Sequence, residues 1–484
     1  MPQAMAAPSS LELNVACTGY ANDLINQSCP SGIPSNTSLE SSICDLPFEV
    51  LGDIFILASP NDEDFIKDRR LLASPLMKPL RFCAVCSWWR SVALGTPRLW
   101  RRVFVRVPPR ISGKEVNSKA TDLVSWVERA ASLPLTLFLS YGVNTSLDDR
   151  QVTPITDVLN RYAARWEALY LRYGGPRWDD AAAERNSRLL PTTGWTSLRR
   201  IFSIRQHSGP HGSETIPWAQ LTHLKIRACL SYRQAMDILK LCPKLKSLSI
   251  RVEPLQPLEK LTSPIVLNDL SLISLTANHV SDVMRSISLP SLKKMSIHLL
   301  WWRRPADVDS FLDFFTRSKC ILDTLVITGS PHSQDLIAVL THESCKRLTS
   351  LAITISDFDR YDSVNDEVLQ RLTLGKNKPL CTHLKFLILR RCIRGSFSAL
   401  LDMVESRISS CAGQLPDKPE LLKYLHLQIE NIGAEEKLKE IIERSKKEYT
   451  IDQEKKTRNY ESVSLRRQGS EPHLPADLDE CFDI

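Results

Sequence analysis

Eight times between Leu221 and Leu427 the chain repeats one pattern, apolar-x-x-apolar-x-apolar, and this repetition restricts its possible folds more than any other feature. The copies are Leu221-Leu224-Ile226, Leu245-Leu248-Ile250, Leu267-Leu270-Leu272, Leu292-Met295-Ile297, Leu322-Leu325-Ile327, Leu348-Leu351-Ile353, Leu384-Leu387-Leu389 and Leu422-Leu425-Leu427. The last two apolar positions of each copy are two residues apart, the period of one face of a strand. Between copies lie stretches such as SYRQAMDILKLC, VDSFLDFFTRSK, SQDLIAVLTHESC and SFSALLDMVESRI, which carry the three- and four-residue apolar spacing of helices. A lone strand and helix cannot bury their own apolar faces, so such units must stack until a continuous core forms. Each buried Leu or Ile then contributes roughly 1.5 to 3 kcal/mol relative to exposure. The expected fold class is therefore α/β, a solenoid of alternating strand and helix.

Copies start 22 to 38 residues apart, at and above the period of leucine-rich repeats, and the pattern resembles a degenerate member of that family. The Asn or Cys that follows the strand in that family is matched only by Cys229 and Cys392, where the resemblance implies a side chain bonded to the loop backbone. A generic α/β domain with a parallel sheet is the alternative reading. Earlier copies extend the array toward the N-terminus: Trp166-x-x-Leu169-x-Leu171, and an imperfect Leu198-x-x-Ile201 with Ser203 in the third place. Helical spacing over Thr121–Ala131 and Ile155–Tyr162, with the alternating SLPLTLFLSY between them, sets the expected solenoid at residues 107–432.

Residues 43–106 read differently. Pro47 suits a first helical turn and Glu49 the positive end of its dipole, and Leu46, Val50, Leu51, Ile54, Phe55 and Ala58 follow at helical spacing until Ser59-Pro60. Phe82, Val85, Cys86, Trp89 and Val92 repeat the spacing, Gly95-Thr96-Pro97 breaks it, and Leu99-Trp100 adds a further apolar pair. So small a helical bundle leaves apolar positions over, available for a neighbour or a partner. The order Leu46-Pro47-x-Glu49-Val50-Leu51-x-x-Ile54-Phe55, then Val85-Cys86-x-x-Trp89-Arg90, then Leu99-Trp100 resembles the F-box of fungal F-box proteins. The resemblance implies docking on a Skp-family adaptor and through it on a cullin, with Leu46, Pro47, Val50, Leu51, Ile54, Phe55, Val85, Cys86, Trp89 and Trp100 as interface candidates. Some of these must also form the module's own core. Residues 60–79, including the run NDEDFIKDRR, lengthen the link between the first two helices beyond that of a compact F-box.

The ends are of another kind. Residues 1–42, rich in Ser, Pro, Ala and Asn, read as a disordered leader; AEEKLKEIIERSKKEY reads as a charged helix over 433–450, and residues 451–484 as a disordered tail. Residues 1–42 hold three acids and no Lys or Arg, and residues 431–484 ten basic against thirteen acidic, so a chain of net +7 carries +13 in its middle. Such a middle suits an acidic or phosphorylated protein target, or a solvated surface without one. Trp301-Trp302-Arg303-Arg304, after a strand, are candidate target-binding residues, because Trp and Arg dominate interface energetics; closing the core is their other possible role.

Chemistry is sparsely encoded. Cys83-x-x-Cys86 has no second ligand pair beside it, and the sequence lacks the HExxH, GxSxG, P-loop and GxGxxG patterns. No metal, cofactor or catalytic residue is expected. The chain has neither an apolar run near about eighteen residues nor a secretory leader, and its thirteen cysteines are scattered; reduced thiols, no membrane association and a cytoplasmic or nuclear location are expected. Together with these absences, the F-box and leucine-rich-repeat resemblances imply a non-enzymatic substrate receptor of an SCF-type ubiquitin ligase, acting in ubiquitin-dependent degradation. A non-degradative F-box scaffold and a basic solenoid that binds nucleic acid are the alternatives.

Overall fold

The computed structural model describes residues 46–61, 79–107, 112–141, 149–173, 194–203, 216–253, 263–277, 280–299, 305–355, 363–375, 378–408, 421–429, 449–457 and 460–467. The chain divides into two units, Met1–Leu198 with Glu214–Ile216, and Arg199–Ser213 with Pro217–Ile484.

In the first unit, helices α1 (Phe48–Leu57), α2 (Leu80–Cys83) and α3 (Ser87–Leu94) and a 3-10 turn, Pro97–Trp100, lead into strand β1 (Arg102–Val107). Helix α4 (Gly113–Arg129), β2 (Leu135–Tyr141), α5 (Asp149–Arg161) and β3 (Trp166–Tyr173) follow. The strands pair in parallel, placing Val103 and Val105 beside Leu137 and Leu139, and these beside Leu169 and Leu171. All six are buried. Within residues 43–106 the last helical turn ends at Trp100 and β1 already begins at Arg102, with Val103 and Val105 on the shared apolar face. Helix α4 opens with a capping box in which the Glu115 N–H donates to Ser112 Oγ at 3.3 Å and the Ser112 N–H to Glu115 Oε2 at 3.4 Å.

The second unit contains β4 (Arg200–Ser203), β5 (His223–Leu230), α6 (Tyr232–Leu241), β6 (Ser247–Val252), β7 (Ile265–Val266), β8 (Leu272–Ala277), α7 (Ser281–Ser286), β9 (Ile287–Ser288), β10 (Lys294–Leu299), α8 (Pro305–Ser318), β11 (Thr324–Thr328), α9 (Ser333–Thr341), β12 (Ser350–Thr354), α10 (Asp366–Leu372), β13 (Phe386–Arg390), α11 (Phe397–Ile408) and β14 (Tyr424–Ile429). Apart from the short pair β7–β9, strands neighbour one another in chain order and run parallel from β4 to β14. This is a solenoid-like α/β arrangement.

The motif accounts for the order. Its first residue is buried in every copy, at Leu198, Leu221, Leu245, Leu270, Leu292, Leu322, Leu348, Leu384 and Leu422. The next residue turns its carbonyl toward the following repeat, where it accepts two successive N–H donors: Thr222 from Lys246 and Ser247, Lys246 from Ser271 and Leu272, and onward to Lys385 from Lys423 and Tyr424. One expected copy is displaced. Register pairs Leu248 with Ile273 and Ile250 with Leu275, so the third motif is Leu270-Ile273-Leu275 rather than Leu267-Leu270-Leu272; the apolar run offers two overlapping matches, and the neighbouring strand selects one.

Arginines lock successive repeats. Arg407, fully buried, donates to the carbonyls of Leu372 (2.7 Å), Leu380 (2.8 Å) and Cys381 (3.1 Å). Burial pushes its pKa down to about 10. In the same manner Arg317 reaches Met284 and Ile287, and Arg165 in the first unit reaches Val127 and Leu133. Each guanidinium takes one carbonyl from the last turn of a helix of the neighbouring repeat, Leu372, Met284 or Val127, where a positive charge opposes the dipole, and others from the segment that follows that helix. Cys392 lies just past β13, but its thiol is 3.6 Å from the carbonyl of Ile353 in strand β12 rather than from a loop carbonyl. Cys229 sits within β5 at a register shift rather than beyond the strand.

The tail expected to be disordered from 451 carries two antiparallel strands, β15 (Tyr449–Thr457) and β16 (Tyr460–Arg467), with β16 paired to β14. Leu465 pairs with Leu425 and Val463 with Leu427, so apolar alternation hidden among charged residues extends the sheet. The helix expected over 433–450 lies outside the described residues but for Tyr449 and Thr450, which begin β15, and the leader 1–42 and residues 62–78 of the insertion lie outside them too.

Candidate functional site

Helix α1 has apolar residues on two faces, and only one is used internally. Leu51 and Phe55 point inward and are buried. The Phe55 ring stacks on Phe82 with centroids 4.2 Å apart and 6° between planes, and lies 4.8 Å from Trp89. Val92, Ala93 and Leu99 complete this small core. Pro47, Val50, Ile54 and Leu57 fall on the opposite side at helical spacing, with Val50 45%, Ile54 38% and Leu57 85% exposed. Val85, at the bend between α2 and α3, is 59% exposed, and Trp88 lies edge-on to Phe48 while remaining partly open.

Local chemistry fixes this helix. Pro47 occupies the N-cap rather than the first turn, and its carbonyl accepts the Leu51 N–H at 3.0 Å. At the other end the Arg81 guanidinium donates to the Ala58 carbonyl at 2.6 Å, joining α2 to the negative end of α1. Gly95 permits Phe48 to cover the end of α3, since a Cβ there would meet Phe48 Cζ at 2.7 Å. Cys83 and Cys86 belong to different helices; Cys86 is the N-cap of α3, its sulfur accepting the Trp89 N–H at 3.4 Å.

A family model described as F-box-like matches residues 43–106. This segment is an F-box-like domain. No curated protein matches the chain.

Within the F-box-like domain the ten interface candidates separate. Pro47, Val50, Ile54 and Val85 are exposed and Leu46, Cys86 and Trp89 half-buried, whereas Leu51, Phe55 and Trp100 are buried. Trp100 in particular is a joint. Its indole N–H donates to the Ala93 carbonyl at 2.8 Å, its ring meets Trp126 of α4 edge-on at 4.8 Å, and the Arg129 guanidinium lies 4.8 Å above it. Trp126 in turn donates to the carbonyls of Trp100 and Arg102, each at 3.0 Å. Leu51, Phe55 and Trp100 therefore hold the F-box-like domain together and to the first strand–helix pair, and present no surface for docking. The sequence reading missed Leu57, Trp88 and Leu94, all exposed; Leu57 was detectable as the position seven after Val50.

Near the end of the domain, Arg101 is engaged internally, donating to the Pro134 carbonyl at 3.0 Å and meeting Glu167 at 3.3 Å. The Arg98–Asp53 pair at 3.5 Å is largely exposed and adds little stability. Trp301, Trp302, Arg303 and Arg304 lie outside the described residues.

Proposed function

We propose that this chain is the substrate-recognition subunit of a cullin-based, SCF-type ubiquitin ligase. The F-box-like domain docks on a Skp-family adaptor, and the leucine-rich-repeat-like strand–helix array holds a protein target. One observation carries the reading: a helix of a domain matched as F-box-like leaves Val50, Ile54 and Leu57 in one exposed apolar stripe while Leu51 and Phe55 suffice for its own core. F-box domains generally bind Skp-type adaptors, and a stripe of this kind gains most from being covered by a partner. The subunit performs no bond chemistry. It raises the effective concentration of target lysines beside a ubiquitin-charged conjugating enzyme, and it works inside the cell, in cytoplasm or nucleus, without metal or cofactor.

The test is reconstitution with adaptor, cullin and RING subunit. Ubiquitin transfer to a protein co-captured by the second unit, abolished when Val50 and Ile54 are both changed to Asp, is expected. Adaptor binding without transfer to any retained protein would instead make the chain a non-degradative scaffold.

A further inference from the structure

Strands β11 to β14 are buried on both faces. The motif residues, such as Leu325 and Ile327 of β11, point toward the helices, which right-handed crossovers between parallel strands taken in chain order keep on one side of the sheet. The residues between them point the other way. There Val326, Ala352 and Ile388 are 0% exposed and His426 2%, and register sets the four in one row across β11 to β14. Tyr424 belongs to the same apolar cluster, and Phe386 packs against it. Further along that row, Ser249 of β6 is half-buried and its neighbour Arg251 exposed, so the sheet alone does not bury this face. A Val or Ile wholly withdrawn from water on a sheet face has a further layer over it, as strands buried on both sides do.

The borders of the row are basic. Lys294, Arg390 and Arg466 occupy flanking register positions on the same face, each engaged in contacts of its own, and strands β10 to β14 contain no Asp or Glu. A covering segment therefore needs apolar side chains for the row and carboxylates for its borders. Residues 468–484, QGSEPHLPADLDECFDI, have that composition: Leu474, Leu478 and Phe482 recur every four residues among Glu471, Asp477, Asp479, Glu480 and Asp483, with no Lys or Arg. They lie outside the described residues, as do internal stretches of the second unit, but each of those longer than two residues contains Lys or Arg. The leader 1–42 also lacks both, but belongs to the first unit. Reach is ample. The Arg467 N–H donates to the Lys423 carbonyl at 2.9 Å, so the segment departs from β16 beside the entry to β14. From β16 to β11 is roughly 20 Å across the sheet, and 17 residues extend up to roughly 56 Å.

We propose that residues 468–484 cover the face of β11–β14 turned away from the helices, Leu474, Leu478 and Phe482 meeting the row of Val326, Ala352 and Ile388 while the acidic side chains meet Lys294, Arg390 and Arg466. The inference goes beyond the receptor role proposed above and stands without it. Where that role holds, a target taken up by this face must first displace the tail, which is then autoinhibitory; that consequence alone rests on the receptor reading.

Carbodiimide coupling joins a carboxylate to an amine only where the two touch. On the intact chain, mass-spectrometric mapping should find Asp477, Asp479, Glu480 or Asp483 joined to Lys294, or to Lys385 or Lys423, which precede Phe386 and Tyr424. Cross-links to these lysines only from residues 1–42 or from an internal stretch, or none at all, overturn the proposal. A second measurement uses a fluorescein-labelled peptide of residues 468–484 and a chain ending at Arg467, under reducing conditions. The peptide should bind the shortened chain, and the intact chain at least about tenfold more weakly, because a tethered tail competes at high effective concentration. Leu478→Asp with Phe482→Asp in the peptide should weaken its binding at least about tenfold. Equal binding to both chains, or no loss with the altered peptide, contradicts the cover. A melting profile shows whether the shortened chain folds; if it does not, the cross-links of the intact chain decide. No readout involves adaptor capture, so failure of the cover and failure of the receptor reading stay distinct.

Discussion

Helices α1 and α6 are each ten residues long and dispose of their apolar residues in opposite ways. In α6, Tyr232, Ala235, Met236, Ile238 and Leu239 are buried and only Leu241 stands out among its apolar residues. In α1, of FEVLGDIFIL, only Leu51, Gly52 and Phe55 are buried, and Val50, Ile54 and Leu57 line the outside. The stacked repeat of the second unit offers the apolar face of each helix neighbouring repeats to pack against, so its helices need one apolar face. A bundle of three short helices has too small an interior for that, and its surplus defines a surface. On the proposed function, apolar content beyond what local packing can absorb marks docking here rather than stability.

Adjacent residues should behave oppositely if this contrast is right. Phe55→Ala should cost the first unit about 3 to 5 kcal/mol, since it empties the stack with Phe82 and Trp89; Ile54→Asp, one residue away, should cost under about 0.5 kcal/mol by denaturant unfolding. A large loss in the Ile54 variant would place that side chain in the core and break the comparison. In the second unit the largest single effect should come from Arg407→Met, which leaves the carbonyls of Leu372, Leu380 and Cys381 without their donor. About 3 kcal/mol is expected, with adaptor capture intact.

How much of this was legible follows from where the apolar residues found partners. Strand positions were readable because the motif carries the period of a sheet face, and the one slip, at Leu267, arose where that period fitted twice. Strands β15 and β16 were not readable: YTIDQEKKT and YESVSLRR are mostly polar, and Val463 and Leu465 become meaningful only opposite Leu427 and Leu425. Helix α1 was recognisable as a helix, but its apolar residues read as one continuous face. Only the packing of Phe55 on Phe82 divides them, turning Leu51 inward and Val50, Ile54 and Leu57 outward. Trp100 likewise read as a docking residue, because nothing in its own neighbourhood announces Trp126 and Arg129.

Smaller effects sharpen the same contrast. Leu57→Ser and Leu241→Ser remove exposed leucines from the two matched helices, and both should change stability by less than about 0.5 kcal/mol. Only Leu57→Ser should weaken adaptor binding, by about tenfold in titration calorimetry. The least effect is expected from His342. Burial lowers its pKa, opposed by Glu343, and its Nδ1 accepts the Ser344 N–H at 3.1 Å, which requires a neutral ring. The unfolded chain therefore binds more protons as pH falls, so this contribution is whole above the ordinary histidine range and lost on descending through it. His342→Gln should flatten the acid limb of the second unit's melting profile.

Capture of a purified Skp-family adaptor by one double variant tests the central claim most directly. Val50→Asp with Ile54→Asp should abolish capture while leaving the melting profile of the first unit unchanged, because the stripe belongs to the partner and not to the core. Full capture by that variant, at unchanged stability, would contradict the account.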